Sequence, residues 1–294
     1  MRTASAILCA FLFAALAAAW ADATINPSNR WAWGSSTGWV NCRTDSTNGA
    51  VIGEYYCSGY FYSVATGWIS LGDGSPTNGV RYSNVGTEDW GVNHDGEGSL
   101  RGYGWSDEIG WIHFEDIGHP TIDLKTGNMS GHMWSESEGW IGFTNGSGYA
   151  ASDTMAPGAD EDGDGIPDAW ERDQTGGTNT LHGGTHDEDG DGFTDEQEHR
   201  MGTNPQNSND FLRVTEFELT DGTNVHVTWA SETTRAYILE RNDDTLTNSA
   251  SWQDSGLGVQ QPDSSNTTTR TVQEMNITQL FFRVKAKVPL VSEE

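Results

Sequence analysis

Four segments of one pattern organise the first half of the chain. They are Trp33-Gly34-Ser35-Ser36-Thr37-Gly38-Trp39-Val40, Tyr62-Ser63-Val64-Ala65-Thr66-Gly67-Trp68-Ile69, Trp105-Ser106-Asp107-Glu108-Ile109-Gly110-Trp111-Ile112 and Trp134-Ser135-Glu136-Ser137-Glu138-Gly139-Trp140-Ile141. The second tryptophans stand at 39, 68, 111 and 140, so 39 to 111 and 68 to 140 are both 72 residues apart without a gap. A fixed period of this kind means a duplicated structural unit, here a pair of hairpins used twice.

Each copy reads as a β-hairpin with a five-residue loop, in which Gly supplies the positive φ near the exit. Side chains alternate along a strand. Ile112 and Phe114 therefore share one face, as do Ile69 with Leu71 and Ile141 with Phe143. The flanking aromatics fall opposite one another on the other face, as Trp33/Trp39, Tyr62/Trp68, Trp105/Trp111 and Trp134/Trp140. Cross-strand aromatic pairs stabilise a sheet by up to ~1 kcal/mol each. Large aromatics are mostly buried, so this face is expected to be core, packed sheet on sheet. The alternative is a partly exposed row of the same eight rings that stacks on the C–H faces of sugars.

The repeat resembles a family of secreted bacterial proteins, largely without known activity, that carry runs like "GYAWSENIGWI". The run Gly102-Tyr103-Gly104-Trp105-Ser106-Asp107-Glu108-Ile109-Gly110-Trp111-Ile112 matches it best. Gly34-Ser35-Ser36-Thr37-Gly38 also fits G-x-S-x-G, but a nucleophile elbow needs a strand-to-helix turn, and this run lies in a hairpin loop.

A second pattern lies between the repeats and the C-terminus. Asp160, Asp162, Asp164, Asp168 and Glu171 stand at positions 1, 3, 5, 9 and 12 of one loop, and Asp187, Asp189, Asp191, Asp195 and Glu198 at the same positions of another. Both fit D-x-D-x-D-G-x₅-E, a calcium-loop spacing. Ca²⁺ takes six to eight hard oxygens, alternate carboxylates fold round it, and Gly165 and Gly192 allow the sharp turn at position 6. The carbonyls of Ile166 and Phe193 fill position 7, and Glu171 and Glu198 are placed to coordinate with both oxygens. Residues 153–198 hold 15 carboxylates and one arginine, half of the whole chain's net charge of −28. Without a divalent cation these groups would repel one another.

Gly- and Pro-rich segments precede both loops, so the entering helices of a full EF-hand are absent, and short helices are expected after each loop. The runs Asp164-Gly165-Ile166-Pro167-Asp168-Ala169-Trp170-Glu171 and Glu198-His199-Arg200-Met201-Gly202-Thr203-Asn204-Pro205 resemble the thrombospondin type 3-like repeats of secreted bacterial proteins. That resemblance implies a calcium-stiffened connector. Dockerin, a pair of loop–helix units that docks into a partner, is the other family of similar appearance. His182 and His186 lie in a Gly-rich stretch beside Asp187 and read as solvated loop histidines.

The ends of the chain set its compartment. Arg2 precedes an apolar run from Ala6 to Trp20, closed by the small-x-small site Ala19-Trp20-Ala21. This predicts a Sec-type signal peptide, hence a secreted or cell-envelope location with no transmembrane segment in the mature chain. Cys42 and Cys57 then remain as an even pair in an oxidising compartment, and a disulfide is expected. Its loop of about 15 residues would contribute on the order of 3 kcal/mol. From Phe211 the pattern changes to alternating strands separated by turn clusters, which predicts a small β-sandwich that resembles fibronectin type III-like modules. The Ser/Thr/Asn-rich stretch 263–271 reads as an exposed loop.

The expectation is an all-β chain divided into a signal peptide (1–21), a Trp-rich tandem β-hairpin repeat domain (22–150), a calcium-binding loop pair with short helices (151–208) and a β-sandwich (209–294). A net charge of −28 excludes electrostatic binding to nucleic acid or to an anionic membrane surface. The function this suggests is structural: a secreted or surface calcium-binding scaffold or adhesion protein, not an enzyme, with an extracellular polysaccharide or another surface protein as partner. Carbohydrate binding through the paired aromatics and dockerin-like docking are the alternatives. A glycoside hydrolase needs two facing carboxylates, and Glu108, Glu136 and Glu138 lie on hairpin loops with nothing in the sequence to bring such a pair together.

Overall fold

The computed structural model describes residues 22–115, 117–144, 149–220, 223–242, 252–273 and 280–291. The segment read as a signal peptide lies outside the described residues. The described residues are all-β apart from two short helices.

The four repeats form the expected hairpins, with three-residue loops in place of the five expected, because the flanking residue on each side continues the strand. They are β1 (Ile25–Gly34) with β2 (Gly38–Asn41), β4 (Cys57–Ser63) with β5 (Gly67–Ser70), β7 (Leu100–Ser106) with β8 (Gly110–Phe114), and β11 (His132–Ser135) with β12 (Gly139–Gly142). Between and after them lie the short strands β3 (Ala50–Ile52), β6 (Val92–His94), β9 (Thr121–Ile122), β10 (Met129–Ser130) and β13 (Ala150–Ser152). The registers place Trp33 opposite Trp39, Tyr62 opposite Trp68, Trp105 opposite Trp111 and Trp134 opposite Trp140.

Successive hairpins pair antiparallel, β2 with β4, β5 with β7 and β8 with β11. The pairing of β12 back onto β1 closes the eight strands into a barrel. Eight strands leave an interior only wide enough for side chains. One layer holds Ala32/Val40, Phe61/Ile69, Gly104/Ile112 and Met133/Ile141 in register, with the small Ala32 and Gly104 making room for Phe61 and Met133. Leu71, Phe114 and Phe143 lie two residues further along the chain, at or just past the ends of their strands, and are also fully or almost fully buried.

The hairpin tips are chained to one another. The hydroxyls of Ser63, Ser106 and Ser137 donate to the carbonyl oxygens of Thr37, Thr66 and Ile109 in the preceding tips, at 3.1, 2.6 and 3.3 Å. At the closing seam the residue equivalent to Ser63 and Ser106 is Gly34. A side chain there would overlap the Thr37 hydroxyl and approach the Trp140 carbonyl oxygen to 3.0 Å, so closure takes place at backbone distance.

This closure corrects the expectation that the aromatic face is core. The aliphatic and Phe side chains fill the interior, and eight further rings have no room inside a barrel of this width. They stand on the outside instead. Trp33, Trp39, Trp68 and Trp140 are 39–47% exposed, and Tyr62, Trp105, Trp111 and Trp134 are half-buried. The rings pack edge to face across the strands, Trp105 on Trp111 at 4.8 Å and Trp31 on Trp39 at 6.1 Å.

The expected disulfide is also corrected. Cys42 and Cys57 are both free thiols, fully buried in the barrel core. Desolvation raises both, and Cys57 is pushed up to about 12. An even count in an oxidising compartment permits a bridge but does not make two inward side chains face each other.

The C-terminal module packs two three-stranded sheets. One has the order β14 (Val214–Thr220), β15 (Asn224–Ala230), β18 (Thr267–Gln273), and the other β17 (Gln253–Gln260), β16 (Ala236–Asn242), β19 (Phe281–Lys287). Val225, Val227, Trp229, Tyr237, Leu239 and Val272 form its core. Of the stretch 263–271, read above as loop, residues 267–271 are the start of β18, paired along its length with β15. Thr is β-branched and suits a strand, and Thr268 is fully buried there.

Candidate metal centre

Each acidic loop runs into a helix. The first leads into α1 (Asp168–Thr175) and the second into α2 (Asp195–Met201), both stopped by a left-handed Gly, Gly176 and Gly202. Thr194 closes a full capping box with Gln197 at the start of α2, whereas Pro167 leaves α1 without a side-chain cap. Gly165 and Gly192 at position 6 have φ of 95° and 101°, with open space around them. Conformation, not crowding, requires glycine at both places.

The first acid of each loop shapes it. Asp160 accepts from the backbone N–H of Gly163 at 2.8 Å and Gly165 at 3.0 Å, and Asp187 from Gly190 at 2.7 Å and Gly192 at 2.9 Å. Asp187, Asp189 and Asp191 then present carboxylate oxygens within 4.8 Å of one another. In the other loop Asp162 and Asp164 come equally close to a ring nitrogen of His182, which belongs to the segment between the loops. Gly183 donates its N–H to Asp164 at 2.7 Å, which ties that segment to the first loop.

Glu171 and Glu198, at position 12, sit one turn inside the helices and are fully buried. Neither oxygen of Glu171 has a hydrogen-bond partner, nor has Oε2 of Glu198, Oδ2 of Asp189 or Oδ2 of Asp191. Burial, then the charges of Asp164, Asp162, Asp168 and Asp160, push the Glu171 carboxyl up to about 7. Burial and Asp189 push Glu198 up to about 8, opposed by a hydrogen bond from Thr203 at 3.2 Å. Buried carboxylate oxygens without a donor are costly unless a proton or a cation meets them. The donors are all hard oxygens except for one imidazole, which suits Ca²⁺.

The position-9 acids also brace the loops. Asp168 accepts from the Glu161 N–H at 3.0 Å and from Arg172 at 3.2 Å. Asp195 accepts from the Glu188 N–H at 3.0 Å, the His182 N–H at 3.0 Å and His186 Nδ1 at 2.6 Å. Both carboxylates tie the loop back on itself, and spacing cannot tell that role from ligation. The position-7 side chains are anchors. Ile166 is buried with Tyr55, Trp170 and Leu181 against the barrel module, and Phe193 stacks on Phe211 at the entry to the sandwich.

One cluster has no sequence signal. Glu54 of the barrel module accepts from Arg235 of the sandwich at 2.8 Å and meets His199 Nε2 of α2 at 3.4 Å. Arg235 also donates to the His199 carbonyl oxygen from Nη2 at 2.6 Å and from Nε at 3.1 Å. All three residues are buried. Arg235 and His199 together hold the Glu54 carboxyl down to about 2, against its burial. Trp170 of α1 packs edge-on to His199 at 5.3 Å, so both helices meet at this joint.

No curated protein and no solved structure shows significant similarity to the chain. Residues 187–208 match the family model of the bacterial TSP3 repeat. The second loop and α2 are thus similar to a bacterial thrombospondin type 3 repeat, a repeat of calcium-binding type, and the cluster of Asp187, Asp189 and Asp191 lies within the matched residues.

Proposed function

We propose that this is a secreted or surface-held scaffold without catalytic activity, in which two calcium loops lock an aromatic-belted barrel to a β-sandwich in one fixed orientation. The carrying observation is the adjacency of Glu198 and His199 on α2. Glu198 stands at the position from which a calcium loop's bidentate ligand comes, and the next residue forms the buried joint with Glu54 and Arg235. Asp160, Asp162, Asp164 and Glu171 would hold the first ion, with the Ile166 carbonyl. Asp187, Asp189, Asp191 and Glu198 would hold the second, with the Phe193 carbonyl. Calcium supplies the positive charge these carboxylates lack. The chain's own part is to hold α1 and α2 against the two modules through Trp170 and His199. Small-angle X-ray scattering tests this. The radius of gyration is expected to be smaller in excess calcium than in EDTA, and equal values in the two buffers would sink the proposal.

Polysaccharide binding is a second reading, favoured by the half-open rings of Trp33, Trp39, Trp68 and Trp140. Amphipathic aromatic faces of this kind suit the C–H surfaces of sugars. Affinity electrophoresis through gels containing soluble glucans, mannans or pectins checks it. Retardation that disappears in Trp39→Ala with Trp68→Ala supports sugar binding. Unchanged mobility in every gel counts against it.

A further inference from the structure

A cavity of about 870 Å³ lies where α2 meets the side of the sandwich. Phe193, Gln197 and Met201 form one wall, β19 the other, and Leu212 and Val214 lie at the entry to β14.

Two features of this groove point to an occupant. The first is the strand edge. β16 covers one side of β19, and no described strand or backbone group bonds to its other side. Phe282, Val284 and Ala286 pack on the sandwich core yet are only half-buried. On the neighbouring edge strand, Val214, Phe217 and Leu219 are 41–61% exposed, and Phe217 lies 5.7 Å from Phe282. Among the described residues nothing covers the apolar core between these two sheet edges.

The second feature is charge. Arg200, Arg213, Arg283, Lys285 and Lys287 line the groove, and among the described residues no Asp or Glu does. They are five of the chain's 15 cationic residues, on a molecule of net charge −28. Glu240 pairs with Arg283 at 2.6 Å and with Lys285 at 3.1 Å, and Glu196 pairs with Arg200. Among the described residues, two carboxylates against five cations leave the groove positive.

We propose that the groove takes an extended acidic segment of a partner protein, added as a strand along the outer edge of β19. The free edge supplies main-chain hydrogen bonds, the half-open core takes alternate apolar side chains, and the cations meet the carboxylates between them. A nucleic acid or an anionic polysaccharide would use the charge but not the edge. Lysine on an edge strand also discourages unwanted pairing, and that guarding role is the competing explanation. The inference goes beyond the calcium clamp and is tested at a fixed excess of calcium, so the two readings fail separately.

The probe is a fluorescein-labelled peptide, Glu-Val-Glu-Phe-Glu-Val-Glu, titrated with the full chain by fluorescence anisotropy. Saturable binding is expected, weakened about tenfold or more by Lys285→Glu with Lys287→Glu, and to a similar extent by Pro in place of the central Phe of the peptide. The single variant Lys287→Ala keeps the test open should double charge reversal unfold the sandwich. No saturable binding would leave only the guarding role and overturn the proposal. Binding that the proline peptide retains would mean nonspecific attraction of an anionic polymer, and also overturns it. So would a dimer in sedimentation that Lys287→Ala splits, because the groove would then belong to a second copy.

Discussion

In EDTA the full chain is expected to melt about 10–20 °C below its value in saturating calcium. Each site filled at a hundred times its Kd adds about 2.7 kcal/mol, and in a chain of this size each kcal/mol moves Tm by about 2–4 °C. Magnesium should recover little of the shift, since it demands a smaller and stricter octahedron. The pH dependence separates this from a general ionic effect. Glu171 and Glu198 have folded-state pKa values of about 7 and about 8, raised from an ordinary 4.5. Without calcium the folded chain therefore binds more protons than the unfolded chain between about pH 4.5 and 8, and its stability falls as pH rises through that window. With calcium the sign reverses, because the ion must displace those protons and binds more tightly at higher pH. Melts at pH 5.5 and 8, each with and without calcium, should give slopes of opposite sign. Glu171→Gln should flatten the calcium-free slope and remove about half of the calcium-induced rise. Parallel slopes, or a Glu171→Gln protein with the full rise, would mean that these carboxylates do not face the ion.

Arg235→Ala should cost about 3–5 kcal/mol, because it leaves the Glu54 carboxylate buried with its main counter-charge removed. The loss should fall at the joint before it reaches either module. Limited trypsin digestion is expected to open the chain between barrel and sandwich at temperatures where the parent resists, while circular dichroism still reports folded sheets. Adding Glu54→Leu should recover most of the cost, since replacing both members of a buried pair by apolar groups is often neutral. An Arg235→Ala protein within about 0.5 kcal/mol of the parent in urea would mean that the triad is an incidental contact and that something else orients the modules.

What could be read from the residues was local, and what could not was long-range. The loop spacing carried the calcium assignment, and the repeat carried four hairpins with their aromatic registers, because turns and alternation act over a few residues. Closure depends on Trp33 pairing with Gly142, which no local pattern records. Alternation separates two faces without saying which is inward, so the belt was placed inside when the width of the closed barrel puts it outside. Asp168 and Asp195 occupy ligand positions, and the hydrogen bonds by which they also brace the loops carry no spacing signal. Glu54, His199 and Arg235 come together across 145 and 181 residues of chain, and carry no spacing signal at all.

The seam between β1 and β12 has a consequence for the order in which the chain folds. Each hairpin is nearly complete within about a dozen residues, so it can form as soon as it emerges from a ribosome or an export channel. The outer edge of β1 must instead wait for a partner more than 100 residues later. Bringing such distant segments together carries the larger loop entropy and is the slow step. Until β12 arrives, the growing sheet is an open ribbon with Ala32, Val40, Phe61 and Ile69 uncovered on one side. A pause in delivery after the third repeat would hold the chain in its most aggregation-prone form, with the edge of β1 free to take a strand from a neighbouring nascent chain.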